Sequence, residues 1–492
     1  MDFISTRDEQ ETSSLLAIIK GIADSGGLFV PEKFPELTID EIVSFKDMPY
    51  YSVCAKVINK YIDELTEKEI EDITMTAYSG FDTKEVAPLV KLDENKFILE
   101  LWHGKTLAFK DMALSVLPSL LAIAKKKKGN SNKTFVLVAT SGDTGKAALS
   151  GFMDAPMIDI CVFYPNEGVS KLQELQMVTQ EGKNTHVIAV NGNFDECQTG
   201  VKKIFADSKF KKLLNDKGYE LSSANSINFG RLVPQIVYYI NSYAKLVKNG
   251  DIAKGEMINI AVPTGNFGNI LAAYYAKRMG LPVKKLICAS NANNVLTDFF
   301  KSGNYSLDRK FYKTISPSMD ILISSNLERL LYEITGRDKE TVSKWMIELK
   351  DKKGYSISEK LNQLNEFYAG WVDEEGTRKT IKETFDKYNY LIDTHTAVAV
   401  KVYNDYIRET GDKTKTIIAS TANPYKFVFD VLNIFTDEKF SDEDVFGAVN
   451  RLNEITGAKI PKNIAELEGK KILHTKTVEK NEMQQAVLDI IK

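Results

Sequence analysis

Six nearly continuous apolar runs of strand length punctuate the chain: Thr134–Ala139, Ile158–Phe163, Thr185–Val190, Ile258–Val262, Lys285–Ala289 and Thr416–Ala419. Amphipathic segments of helix length lie between most of them. Continuous apolar strands alternating with helices predict a parallel sheet covered on both faces. In such sheets ligands bind beyond the carboxyl ends of the strands. A further run, Phe97–Trp102, precedes a helix predicted over Asp111–Lys128. Lysines 125–128 complement the negative end of that helix and Gly129-Asn130 stops it, so the lysines read as a solvated helix end.

Two stretches break this rhythm. Residues 1–92 read as a mostly helical amino-terminal lobe, with turns at Ser25-Gly26-Gly27 and Ser79-Gly80. Residues 303–390 are highly charged and read as a helical insertion. The remainder divides into a small α/β domain, 131–224, and a large domain, 93–130 with 225–492, which carries the insertion. The longest charge-free stretch, Met257–Ala276, is long enough for a membrane span, but PTGNFGN lies at its centre. It reads as strand, polar loop and helix.

Composition narrows the classes. The 492 residues, 43% hydrophobic and 27% charged, bury a large core without disulfides. A net charge of −3 is too balanced for a protein that coats nucleic acid or an anionic membrane, so neither is expected as a partner. Cys54, Cys161, Cys197 and Cys288 form no CxxC, and His103, His186, His395 and His474 are equally scattered. Neither set has zinc spacing, so no metal site is expected. The start, MDFISTRDEQET, has neither the basic segment nor the apolar core of a signal peptide. A reducing, cytoplasmic setting is expected.

Three loops follow strands and carry small polar residues. TFVLVA runs into Thr140-Ser141-Gly142-Asp143-Thr144-Gly145 and a helix. Glycines let backbone N–H groups approach an anion, and the helix start favours it; a capped strand-to-helix turn explains the same residues. A P-loop would need glycine at Thr140 and Ser or Thr at Ala147, and no GxGxxG occurs, which disfavours a nucleotide-dependent kinase or ATPase. INIAV runs into Pro263-Thr264-Gly265-Asn266-Phe267-Gly268-Asn269, whose backbone donors suit a phosphate. TIIA runs into Ser420, Thr421 and Asn423-Pro424. Lys110 stands at a helix start between Phe109 and Met112-Ala113-Leu114. An amine among apolar neighbours loses its proton more easily, as covalent lysines need; such a lysine can equally reach out to solvent.

Together these segments resemble the pyridoxal-phosphate enzymes of fold type II, and within them the threonine synthases. HGKTLAFKD is similar to that family's HGPTxAFKD, whose lysine bears the cofactor. ATSGDTG, VPTGNFGN, SPSMDILISSNLERLL, IDTHTAV and STANPYKF follow in family order. FISTRDE, GIADSGGLFVP, NFDECQ and NSINFGRLVPQ also match, so the similarity spans residues 3–430.

The resemblance implies an α/β fold like the tryptophan synthase β chain, with two parallel-sheet lobes. It implies pyridoxal 5'-phosphate as cofactor, with Lys110 bearing it and shuttling protons at the substrate's α and β carbons. Gly265, Asn266, Phe267, Gly268 and Asn269 would hold the cofactor phosphate, Thr421 the pyridine nitrogen, and Phe109 would pack near the ring. Asp143 would lie near the phenolic oxygen, and Ser141 and Thr144 would bind the substrate carboxylate. The implied reaction takes O-phospho-L-homoserine and water to L-threonine and phosphate. Its second phosphate needs a pocket, for which Arg231 and Lys171 lead, followed by Ser170, Asn228 and Arg329, with Lys105 and Thr106 beside them. Lys105, Lys146, Thr394, Ala399 and Asn423 depart from the family pattern without removing a group the chemistry requires. A related phospho-lyase or dehydratase, and a cofactor-free binding protein on the same fold, are the competing readings. The resemblance is compatible with a monomer or a homodimer.

Overall fold

The computed structural model describes residues 1–140, 142–166 and 169–491. Two parallel sheets organise them. The large sheet runs, in spatial order, Phe367–Trp371, Val283–Ser290, Ile258–Pro263, Thr416–Ser420, Lys96–Glu100 and Leu89–Lys91. Only the last strand is antiparallel to its neighbour. The small sheet, ordered Thr477–Glu479, Thr185–Asn191, Ile158–Pro165, Lys133–Ala139 and Tyr219–Ser222, is parallel throughout.

Alternate residues of the large sheet feed different cores, as the two-residue strand period requires. Phe97, Leu99, Ile260, Val262, Leu286, Ile417 and Ala419 join a core shared with the amino-terminal lobe. Ile98, Ala261, Ile287 and Ile418 face the opposite way, against the helix Thr394–Thr410. Burial on both faces is why these strands read as unbroken apolar runs. The helix Phe229–Lys248 is buried on nearly every side, and Phe229 meets Phe3 edge-on at 4.6 Å, which docks the amino-terminal lobe.

Several expectations need correction. The first 92 residues carry the helices Ser14–Lys20, Ile39–Ser44, Tyr50–Asn59 and Glu67–Tyr78, but also an unexpected antiparallel sheet of Asp2–Ser5, Glu11–Ser13 and Phe29–Pro31, in strands too short to show a period. The helix expected over Asp111–Lys128 is two, Asp111–Leu114 and Leu117–Lys127. Pro118 has no N–H for the Leu114 carbonyl. That carbonyl packs instead on Gly151, where a Cβ would lie 2.1 Å from it. Lys125 is buried rather than solvated and ion-pairs with Glu220 at 2.6 Å. The 303–390 segment is not simply a helical insertion, since Phe367–Trp371 is an edge strand of the large sheet and Asn304–Ser306 pairs with Gly354–Ser356. The end of the chain, expected in the large domain, joins the small one: Thr477–Glu479 extends its sheet, and Val478, Met483 and Val487 enter its core.

Among the described residues no helix is long and apolar enough to cross a membrane. Met257–Ala276 holds the strand Ile258–Pro263, a loop and most of the helix Gly268–Arg278.

Candidate active site

Lys110 is delivered by the loop after Lys96–Glu100. Thr106 closes that loop, donating from its N–H (2.7 Å) and hydroxyl (2.6 Å) to the Asp111 carboxylate. Leu107 takes a left-handed φ of 60°. The segment is then knitted to the loop after Thr416–Ser420. Phe109 N–H donates to the Thr421 carbonyl at 2.8 Å, and Asn423 N–H to the Leu107 carbonyl at 3.0 Å. Lys110 thereby reaches inward, its side chain 13% exposed. Its Nζ donates to Ser318 Oγ at 3.2 Å and lies 3.7 Å from Asp143 Oδ2, to which the same hydroxyl donates at 2.9 Å. Burial first, and then the charges of Lys426 and Arg231, push the amine below its ordinary value against the pull of Asp143. An amine that sheds its proton readily is the form that attacks a carbonyl.

Asp143 opens the helix Asp143–Phe152. The turn before it is fixed by Thr140, whose hydroxyl accepts from the N–H groups of Gly142 (3.0 Å) and Gly145 (2.9 Å). Gly142 has φ 132°, and a Cβ there would lie 2.6 Å from Gln173. On its far side the Asp143 Oδ1 accepts from Gln173 Nε2 at 2.9 Å and lies 3.1 Å from Lys426 Nζ. Lys426 is 1% exposed and also donates to the Thr106 carbonyl at 2.9 Å. Burial alone would raise the Asp143 carboxyl, but Lys426 and then Lys110 hold it well below the usual carboxylate range.

Ser318 is itself anchored. Its N–H donates to His395 Nε2 at 3.2 Å, and His395 Nδ1 lies 2.8 Å from Asp393 Oδ2. Because Nε2 accepts, the ring proton sits on Nδ1 and points at Asp393. Asp393 also caps the helix Thr394–Thr410 through the N–H groups of His395 and Thr396.

The loop between Ile258–Pro263 and Gly268–Arg278 forms an anion cradle. Among the described residues, no protein acceptor takes the N–H groups of residues 265–270. Phe267 adopts φ 64°, which turns successive amides the same way. A Cβ on Gly265 would stand 2.6 Å from the Ser318 carbonyl. The loop is braced by Ser324 donating to the Gly265 carbonyl (2.7 Å) and Asn326 N–H to the Asn266 carbonyl (3.1 Å). Asn269 Oδ1 accepts from Tyr238 and Tyr239, both at 2.5 Å, while its buried Nδ2 has no partner among the described residues. Unpaired buried donors beside helix-start amides fit a phosphate, and Lys110 fits the aldehyde of the same cofactor.

The remaining candidates are distributed unevenly. Arg231 is 4% exposed and donates from one terminal nitrogen to the Ala224 carbonyl at 2.7 Å. Its Nε is unpaired, and among the described residues it meets no carboxylate. Burial pushes it down to about 10. Thr421 is buried beside Phe109, and Thr144 lies half-buried in the first turn after Asp143. Lys105 is exposed over Gly80. Ser141 lies outside the described residues. Several candidates are otherwise engaged. The Ser170 hydroxyl caps the helix Lys171–Val178, and Lys171 pairs with Glu174 at 2.9 Å at the surface. Asn228 donates to the Ile18 carbonyl at 2.9 Å. Arg329 reaches the carbonyls of Phe29 (3.0 Å) and Ile227 (2.6 Å), and Thr106 is spent on Asp111.

Sequence reasoning missed Ser318, Gln173, the His395–Asp393 pair and Lys426. Lys426 carried the signal already read at Lys110, a lysine set among apolar and aromatic residues, here Tyr425 and Phe427.

Comparison with known proteins places the chain in a family. A family model described as "Threonine synthase N terminus" matches residues 2–78, and one described as "Pyridoxal-phosphate dependent enzyme" matches 84–422. Threonine synthase-like 1 of Homo sapiens is 42% identical over 450 residues, covering 86% of this chain and 59% of that protein. The chain thus spans about three-fifths of the length of that relative. Threonine synthase of Schizosaccharomyces pombe is 37% identical, covering 90% of this chain and 91% of that one. The PLP-bound threonine synthase from Brucella melitensis superposes with a TM-score of 0.88 at 35% identity, over 100% of this chain and 98% of that one. The chain belongs to the threonine synthase family of pyridoxal-phosphate-dependent enzymes.

Proposed function

We propose that this chain converts O-phospho-L-homoserine and water to L-threonine and phosphate, using pyridoxal phosphate bound between the two sheets. The observation that carries the reading is a readily neutralised Lys110 beside one anion cradle, with a buried, carboxylate-free arginine in the same site. Two phosphates are the anions of this reaction, one on the cofactor and one on the substrate.

Lys110 Nζ would bear the cofactor, the amides of residues 265–269 and the Asn269 amide its phosphate, and the Thr421 hydroxyl its ring nitrogen. When bound, the cofactor supplies an electron sink for negative charge developing on the substrate carbons. Lys110 takes the proton from Cα and returns protons along the substrate chain, a general acid–base role worth roughly 10²–10⁴-fold. Ser318 keeps its Nζ aimed, and Asp143 holds negative charge opposite it. Arg231 receives the substrate phosphate, which an arginine grips through two nitrogens. Thr144 and Ser141 would meet the carboxylate. Lys105 is the remaining cation for the substrate side. The enzyme works in the cytoplasm as a monomer or homodimer, a setting supported by four buried free thiols.

The test offers O-phosphohomoserine, phosphothreonine and threonine side by side to the cofactor-loaded protein and identifies the products. Threonine and phosphate in equal amounts from phosphohomoserine are expected. A 2-oxo acid in place of threonine would make the protein a phospho-lyase or dehydratase instead.

A further inference from the structure

We propose that Lys426 is a positioning residue of this site, serving as the standing counter-ion of Asp143 so that Asp143 remains an anion when Lys110 gives up its charge. The inference deepens the reading above and rests on it for the role of Lys110.

Asp143 stands between two lysines on unequal terms. Lys426 lies 3.1 Å from Oδ1, whereas Lys110 is 3.7 Å from Oδ2 and reaches it through the Ser318 hydroxyl. Lys426 is the more enclosed, 1% exposed against 13%. It is fixed from a second side by the Thr106 carbonyl at 2.9 Å. The other groups facing Asp143 are Gln173 and Ser318, which are neutral, and His395, which pulls the carboxyl down less than the two lysines do. Arg231 bears on Lys110 from the neighbouring helix. If Lys110 bears the cofactor, its ammonium is no longer available to Asp143. A buried carboxylate without a cation takes up a proton, and Lys426 prevents that.

The test uses the full-length protein and three variants, Lys426→Met, Lys426→Gln and Asp143→Asn, plus the double variant Lys426→Gln/Asp143→Asn. Lys426→Gln keeps a donor for the Thr106 carbonyl and guards against a Met variant that fails to fold. Two readouts are followed from about pH 5 to 9: the visible spectrum of the cofactor-loaded protein and turnover of phosphohomoserine. The unsubstituted protein is expected to show no acid transition in the spectrum below about pH 6, since Asp143 stays ionised there. The Lys426 variants are expected to gain one, with turnover falling about tenfold or more between pH 8 and pH 6, as the ionised fraction of a single carboxyl falls about tenfold for each step in pH below its midpoint. The transition disappears in the double variant, because it belongs to Asp143. An acid transition in the unsubstituted protein, or Lys426 variants with unchanged profiles, overturns the proposal. Urea unfolding of the cofactor-free protein separates this failure from failure of the proposed function. Without Lys426 the Asp143 carboxyl is held less far below its unfolded value, so the stability it loses as pH falls through the ordinary carboxylate range is expected to shrink or reverse, whatever the substrate. An unchanged acid loss in a folded Lys426 variant also overturns the proposal.

Discussion

The amide N–H of Ser318 donates to Nε2 of His395 across 3.2 Å, and this bond ties the residue that aims Lys110 to a helix of the large domain. His395→Leu leaves that buried donor unpaired, a cost of about 1–3 kcal/mol. If the cost falls on the transition state, kcat/KM drops about 5- to 150-fold. Steady-state kinetics check this. Cofactor affinity, measured by fluorescence quenching, is expected to change less, because the cradle at 265–269 is separately braced by Ser324 and Asn326.

Lys110→Ala is expected to remain folded and to lose turnover by at least about 10²–10⁴-fold. Borohydride should fix the cofactor to the unsubstituted chain and not to the variant. Peptide mapping by mass spectrometry identifies the labelled residue, and a label elsewhere would move the covalent role from Lys110.

Arg231→Met removes a buried cation with no carboxylate partner while preserving most of its apolar packing. KM for phosphohomoserine is expected to rise about tenfold or more, from the roughly 1.5–3 kcal/mol of a charge-assisted hydrogen bond. An unphosphorylated analogue should be little affected, and equal effects on both would take Arg231 out of the phosphate pocket.

Much of this architecture was legible because both faces of the central strands are buried. Ile258–Pro263, Thr416–Ser420 and Ile158–Pro165 surface as apolar runs, and the loops at their carboxyl ends follow from that. Phe367–Trp371 was not legible, since an edge strand has one neighbour and this one is short and flanked by charge. Lys125 and Lys426 were hidden for a related reason. A lysine reads as a surface residue until the fold brings Glu220 or Asp143 to it. Ser318 and His395 acquire their places only through contacts across 77 residues of chain, which no local spacing encodes.

His103 offers a pH-dependent signal. Its Nδ1 lies 2.5 Å from Asp82 and its Nε2 2.8 Å from Glu100. Burial disfavours its cation, but Glu100 and then Asp82 more than offset this and raise the imidazole above its ordinary 6.5. The folded state therefore binds the proton more tightly than the unfolded chain. The resulting stabilisation is complete below about pH 6.5 and is lost as pH rises through the higher folded value. Urea unfolding at a series of pH values should show this slope in the unsubstituted protein and not in His103→Gln.

The proposed reaction cleaves a γ-phosphate and hydrates the same substrate. The most direct measurement follows O-phospho-L-homoserine turnover by the cofactor-loaded protein in ¹⁸O-labelled water, with amino acid and phosphate analysed together. One threonine per phosphate is expected, with the label in the threonine hydroxyl and not in the phosphate, because carbon–oxygen elimination leaves the phosphate oxygens unexchanged. Homoserine with labelled phosphate, or release of a 2-oxo acid in place of threonine, would contradict it.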